Sequence, residues 1–165
     1  MSILSTSLLE KAHADAEEFA QTHTSSKLSP PLYDPSTHYL EITHSPYFDA
    51  LILLRHYIKR ASDEYFSSVV GAKNVDLFMM TPSISSPIGP GSDSEAVPIQ
   101  FGNQLTYLTD SSQFGFEPLL FQGNKKLYCY LPSMRGENPD DRHLNQFFHC
   151  EAEIVGSIDA LLPIV

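Results

Sequence analysis

The stretch MRGENPDDRHLNQFFHCEAE, Met134 to Glu153, decides the reading of the chain. Apolar alternation enters it through Tyr128-Cys129-Tyr130-Leu131 and leaves it through Phe147-Phe148-His149-Cys150, so the polar segment between is the loop of an antiparallel hairpin. Arg135 and Glu137 stand at the end of the incoming strand. Arg142 and His143 close the loop, Phe147 follows four residues after the His, and Glu151 and Glu153 share one strand face. Such a hairpin gathers cations that suit phosphate, a ring on which a base can stack, and carboxylates that can hold an amine or amide. That set fits a nucleotide-dependent reaction on an amino acid.

Composition narrows the alternatives. The chain has 165 residues, 42% apolar and 11% aromatic, enough for one domain with a real core. Ten Lys and Arg face twenty Asp and Glu, a formal charge of −10, which disfavours broad binding to a nucleic-acid backbone while leaving room for a local cationic pocket. No apolar run approaches the roughly 18 residues of a membrane span, and no secretory signal is expected at the N-terminus. Cys129 and Cys150 are too few for a disulfide scaffold, and both sit in apolar strand contexts. A reducing, cytoplasmic setting is expected.

Outward from the hairpin, the pattern is α+β. Leu4 to Thr24 has the spacing of an amphipathic helix, and Pro30-Pro31 and Asp34-Pro35 mark an extended connector. His38 to Thr43 is expected to be a short strand. Tyr47 to Val70 is the strongest helix, capped by Ser45 with Pro46 in its first turn and terminated at Gly71. Its apolar stripe is Leu51, Leu54, Ile58, Ala61, Tyr65 and Val69. Val75 to Met80 alternates like a strand, and Ser83 to Glu95 has the composition of a mobile loop. Val97 to Phe101 and Gln104 to Leu108 form a hairpin about Gly102-Asn103. Ser111 to Phe121 reads as a helix capped by Thr109 or Asp110, and Ser157 to Val165 as the start of another.

Plainer readings dispose of several motifs. Gly89-Pro90-Gly91 is too sparse for a phosphate loop and lacks a following Lys-Ser or Lys-Thr. His149-Cys150 has no second Cys or His pair at zinc spacing, so His149 reads as a structural or surface residue and no metal ligand is assigned. Ser111, Ser112 and His149 do not make a nucleophilic triad, since hydroxyls in this setting more often cap a helix.

Arg135-Gly136-Glu137, a variable loop, then His143 and Phe147 at their spacing resemble motif 2 of the class II aminoacyl-tRNA synthetases. The helix from Tyr47 and the segment ending at Thr81-Pro82 resemble motif 1. Thr109-Asp110-Ser111-Ser112-Gln113, Arg142-His143-Leu144 and Glu151-Ala152-Glu153 are most similar to the aspartyl/asparaginyl subgroup. The resemblance runs from about Tyr47 to Gly156. It implies an antiparallel sheet flanked by helices, with residues 1–46 as an N-terminal helix and connector. Residues 47–165 would be the N-terminal part of a catalytic domain, incomplete at the C-terminus, with motif 1 at about 47–82 and motif 2 at about 126–154.

The resemblance also implies roles. Arg135 would contact the ATP α-phosphate and the amino-acid carboxylate. Glu137 would hold the adenine amino group, Phe147 would stack on the base, and Arg142 and His143 would reach the terminal phosphates. Gln113 and Glu151 would line the amino-acid pocket. Magnesium is expected on the phosphates, with ligands outside this chain, and the motif 1 helix implies a homodimer. Phe116 stands where aspartate enzymes carry a Lys, which leans the substrate toward asparagine or another neutral side chain. Gln146 replaces the usual Glu and Asp110 the Gln of asparagine enzymes, both departures from the family pattern.

Neither the Gly-rich third motif nor the anticodon-binding barrel is found in these residues. The expected function is therefore ATP-dependent formation of an aminoacyl-adenylate in a synthetase-like protein lacking that barrel. A conventional tRNA ligase is the nearest alternative, and a non-catalytic regulatory or interaction protein retaining half of the fold is the second.

Overall fold

The computed structural model describes residues 5–23, 33–83, 95–140 and 143–164. They fall into two compact units, residues 1–65 and 66–165. The first is helical. Helix α1 (Thr6–Thr22) packs on α3 (Pro46–Asp63), and the short α2 (His38–His44) precedes α3. Leu8 is buried, the Tyr57 hydroxyl donates to the Asp15 carboxylate across the pair, and the Ser5 amide and hydroxyl donate to Glu64. Ser45 caps α3 as its sequence suggests, its hydroxyl accepting from the Tyr47 amide at 3.3 Å with Pro46 in the first turn. The long helix then widens into a π-helical stretch, Glu64–Val70, which ends at Gly71 in the left-handed region at φ 71°.

The expected strand at His38 to Thr43 is helix α2 instead. The Asp34 side chain accepts from the Ser36 amide and hydroxyl, and its carbonyl accepts from the His38 amide, which winds the chain before the first turn. Thr37 then donates to Glu41 one turn on. This local hydrogen bonding overrides a weak alternation.

The second unit holds two small sheets. In the first, the parallel pair β1 (Lys73–Asn74) lies beside β5 (Lys126–Met134), which pairs antiparallel with β6 (Gln146–Ile154). In the second, β2 (Met80–Thr81) and β3 (Val97–Phe101) flank β4 (Gln104–Leu108), all antiparallel. The β3–β4 turn falls at Gly102, with φ 61°. Val75 to Met80 is not one strand. Its alternation is correct, with Val75 and Leu77 turned inward and Asp76 and Phe78 outward. Its backbone, however, leaves β5 after the Val75 amide bonds the Tyr128 carbonyl and joins β4 only at Met80. One segment thus bridges two sheets, and an unbroken ladder is impossible.

The core lies on one face of β5. Leu127, Cys129 and Leu131 are fully buried there with Phe116 of α4 (Gln113–Phe121), and Val75, Leu77, Leu119 and Leu120 pack around them. On the other face Tyr128 stacks on Phe66 from the π-helical stretch, ring centroids 5.3 Å apart. A last short helix, α5 (Ile158–Leu161), follows β6.

Truncating the core and the surface should have unequal consequences. Leu127→Ala is expected to cost about 2–5 kcal/mol in urea denaturation through lost burial and a residual cavity. Leu105→Ala, on an exposed strand position, should change stability by less than about 0.5 kcal/mol.

Candidate active site

The register of β5 against β6 sets the site. Ser133 faces Phe147, Leu131 faces His149, Cys129 faces Glu151 and Leu127 faces Glu153. Residues directly opposite in an antiparallel pair point to the same side. Phe147, His149, Glu151 and Glu153 therefore form a row on the face that also carries the core. At one end the Arg135 guanidinium lies over the Phe147 ring, 5.5 Å from its centroid. The Phe147 ring meets His149 edge to face at 5.5 Å, and His149 Nε2 lies 3.4 Å from Glu151 Oε2 and 2.7 Å from Ser133 Oγ. Phe148, one residue on, turns outward and is exposed.

Glu151 carries the row across to α4. Its Oε2 accepts from the Ser112 amide at 2.7 Å and from the Ser112 hydroxyl, and its Oε1 lies 3.5 Å from Ser111 Oγ. A carboxylate on a strand thus satisfies a donor at the start of a helix, where the helix dipole also favours negative charge. This corrects the expected cap. The helix begins at Gln113, Ser112 is the capping position, and neither Thr109 nor Asp110 caps it. Both are buried instead, and the Thr109 hydroxyl donates to the Ser111 carbonyl at 2.6 Å. Gln113 Nε2 donates to Glu117 Oε1 at 3.0 Å.

A cavity of about 300 Å³ opens beside this cap, lined by Ser111, Ser112, Gln113, Phe116, Glu151, Ala152 and Glu153. Among the described residues no Lys, Arg or His lines it. Glu153 Oε2 is buried there, with no hydrogen-bond partner among the described residues. Burial raises the pKa of this carboxyl above its ordinary value, and Glu117 and Glu151 push it further in the same direction. An uncompensated buried carboxyl oxygen beside a second carboxylate is a receptor for a cationic or amide N–H donor. Beneath the row, burial raises the Cys129 thiol to about 11, so it stays neutral at physiological pH.

At the other end the strand turns out of the ladder through Arg135-Gly136-Glu137. The Arg135 amide donates to the Asn145 carbonyl at 2.8 Å, and Asn145 Nδ2 donates to the carbonyls of Arg135 at 2.9 Å and Glu137 at 2.6 Å. The Gly136 amide donates to the Glu95 carbonyl at 2.9 Å, and the Glu95 amide donates to Glu137 Oε2 at 3.0 Å. Only a glycine fits this approach without displacement, because a Cβ on Gly136 would lie 3.1 Å from the Ala96 carbonyl oxygen.

The structure therefore brings Arg135, Glu137 and Phe147 to one end of a face and Gln113 and Glu151 to the other. His143 stands apart from the row. Its side chain is exposed, with Nδ1 2.9 Å from Asp140 Oδ1, and its amide donates to the same oxygen at 2.8 Å. Arg142 and most of the segment expected to be a mobile loop lie outside the described residues. Sequence reasoning missed three participants. His149 was set aside, although its two-residue spacing from Phe147 and Glu151 signals a shared face. Asn145 has the look of an ordinary loop residue, and nothing local marks Glu95. Among the described residues no group of three or more His, Cys, Asp or Glu could hold a metal ion, and no helix is long and apolar enough to cross a membrane.

Comparison with known proteins converges on one group. The asparagine–tRNA ligase of Mycoplasma genitalium is 32% identical over 127 residues, which is 72% of this chain and 25% of the relative. That of Mycoplasma pneumoniae is 31% identical over 121 residues, again 25% of its length. The chain thus spans about a quarter of the curated relatives it matches. The asparaginyl-tRNA synthetase of Pyrococcus horikoshii, solved with asparaginyl-adenylate, superposes with a TM-score of 0.64 at 20% identity over 80% of this chain and 30% of that one. The Entamoeba histolytica asparaginyl-tRNA synthetase superposes at 0.59 with 25% identity, covering 77% of this chain and 27% of that one. No family model matches the chain.

The strained carboxyl of Glu153 sets a pH dependence. A carboxyl whose folded pKa lies above its unfolded value stabilises the fold fully below that unfolded value, near 4.5, and the benefit is lost as pH rises through the folded value. Glu153→Gln is therefore expected to raise the urea midpoint at pH 7.5 and to change it little at pH 4. A lower midpoint at pH 7.5 would show that the ionised form is held by a partner.

Proposed function

Taking as premise that the chain is a class II synthetase-like segment related to the asparaginyl-tRNA synthetases, we propose that it carries half of a site for making an aminoacyl-adenylate from ATP and asparagine, or a similar neutral amino acid. The row from Arg135 to Glu153 carries this reading. It joins a cation and an aromatic ring at one end to a carboxylate pocket at the other that no cation of the described residues lines, along a single strand face.

Activation is an in-line attack of the amino-acid carboxylate on the α-phosphorus, with pyrophosphate leaving. Negative charge builds on the α-phosphate oxygens, and Arg135 answers it. Its guanidinium is a fixed-geometry donor, and a preorganised donor contributes most where charge develops. Phe147 offers its ring to adenine, and Glu137 offers a carboxylate to the adenine amino group. His143 and Arg142 are the residues proposed for the terminal phosphates. Magnesium belongs with the triphosphate as part of the substrate. Among the described residues no group of three or more His, Cys, Asp or Glu could hold it.

At the pocket end Glu151 and Glu153 face the substrate's ammonium, and Gln113 faces its side chain. Phe116 and the lack of a lining cation among the described residues disfavour an aspartate side chain, because its charge would be desolvated beside two carboxyls. The names of both curated relatives favour tRNA as the acceptor.

The helix α3 supports a homodimer. Leu54 and Ile58 of its apolar stripe are 57 and 49% exposed, and a second copy covering them would bury that stripe.

Two measurements test these readings in the full protein. Arg135→Ala should lower asparagine-dependent pyrophosphate exchange by roughly 10²- to 10³-fold; exchange at the wild-type rate would refute the assignment. By sedimentation the wild type should be a dimer and Ile58→Glu a monomer, whereas a wild-type monomer at micromolar concentration contradicts the α3 interface.

A further inference from the structure

We infer that Asn145 is the positioning residue that aims the Arg135-Gly136-Glu137 turn, and through it sets how well the site tells adenine from a base lacking its amino group. This rests on the nucleotide reading of Arg135 and Glu137 above, and it adds a residue to which that reading gives no role.

The argument begins where the ladder stops. Met134↔Gln146 is the last registered pair of β5 and β6, so Arg135, Gly136 and Glu137 have no continuing strand to hold them. A turn in that position would ordinarily hand its polar groups to water. Asn145, the residue just before β6, prevents this. Its carbonyl takes the Arg135 amide at 2.8 Å, and both hydrogens of its side-chain nitrogen are used, one on the Arg135 carbonyl at 2.9 Å and one on the Glu137 carbonyl at 2.6 Å. Two carbonyl partners fix the orientation of the amide, since its oxygen would be repelled by both.

The two carbonyls lie on either side of Gly136, so one side chain spans the turn and sets the relative placement of the residues that flank it. Those residues face different parts of a nucleotide, the phosphate for Arg135 and the base for Glu137. No other side chain does this with the same reach. Asp has acceptors only, Ser has one donor, and Gln is longer by a methylene. The far side of the turn is held as well, by Glu95 on the Gly136 amide and the Glu137 carboxylate, so freeing the Asn145 side alone lets the turn pivot.

A pivot of that kind moves both functional groups but need not unfold the protein. The loss should therefore appear as a change in selectivity. ATP and ITP differ at the amino group that Glu137 would hold, and both carry the same triphosphate. The ratio of their kcat/KM values is independent of how much of a preparation is folded.

The test is asparagine-dependent pyrophosphate exchange in the full protein with each nucleotide, for wild type, Asn145→Ala, Asn145→Ser and Asn145→Asp. The expected result is an ATP preference in the wild type that falls about tenfold in Asn145→Ala, with kcat for ATP also lowered. Ser should be intermediate and Asp at least as impaired as Ala. Should Asp not fold, Ala and Ser give the same readout without an added charge. An unchanged ATP-to-ITP ratio in Asn145→Ala, with exchange falling only in step with the folded fraction, overturns the inference and leaves the proposed function standing. A wild type that exchanges with neither nucleotide overturns both.

Discussion

The antiparallel register of β5 on β6 is the constraint from which the rest of this structure follows. It runs from Lys126↔Ile154 to Met134↔Gln146, and it places Phe147, His149, Glu151 and Glu153 on the same side as Leu127, Cys129, Leu131 and Ser133. Side chains alternate along a strand, so a slip by one residue would send the entire row to the opposite face. The buried Leu127, Cys129 and Leu131 against Phe116 oppose such a slip, because it would expose them. Core and site are therefore not separate achievements of the fold. The apolar β5 residues packed on Phe116 lock the register, and the register aligns the polar row.

The row shows how a polar face is kept beside a dry core. Partly buried groups on it have neighbours that answer their chemistry: Ser133 for His149, His149 and Ser112 for Glu151, the Phe147 ring for Arg135. Glu153 has one buried oxygen left without a hydrogen bond among the described residues and a pKa raised by burial and two neighbouring carboxylates. Such an imbalance is costly in a purely structural position and useful in one that receives an ammonium or amide. The same economy shows in Glu151, which caps α4 and lines the cavity with one carboxylate.

Much of this was legible in the sequence where period and spacing carried it. The β5–β6 and β3–β4 hairpins, the Ser45 cap and the Gly71 stop all follow from local pattern, and the structure has them at those positions. Elements fixed by distant partners were not legible. Val75 to Met80 alternates like a strand but changes sheets halfway, and only the positions of β4 and β5 decide that. The start of α4 depends on Glu151, thirty-nine residues away from Ser112, and His38 to Thr43 was misread because Asp34 winds the chain from outside the segment. Within the site, the motif residues announced themselves by type and spacing. Asn145 and Glu95 did not, since their contribution is a backbone contact that no residue pattern records.

The most direct measurement is ATP–pyrophosphate exchange by the full wild-type protein across all twenty amino acids. A pocket bounded by Phe116, Glu151 and Glu153, lined by no cation among the described residues and on one strand face with Arg135 and Phe147, predicts exchange that depends on asparagine and is far weaker with aspartate. Exchange with no amino acid, or a preference for aspartate, would contradict the account.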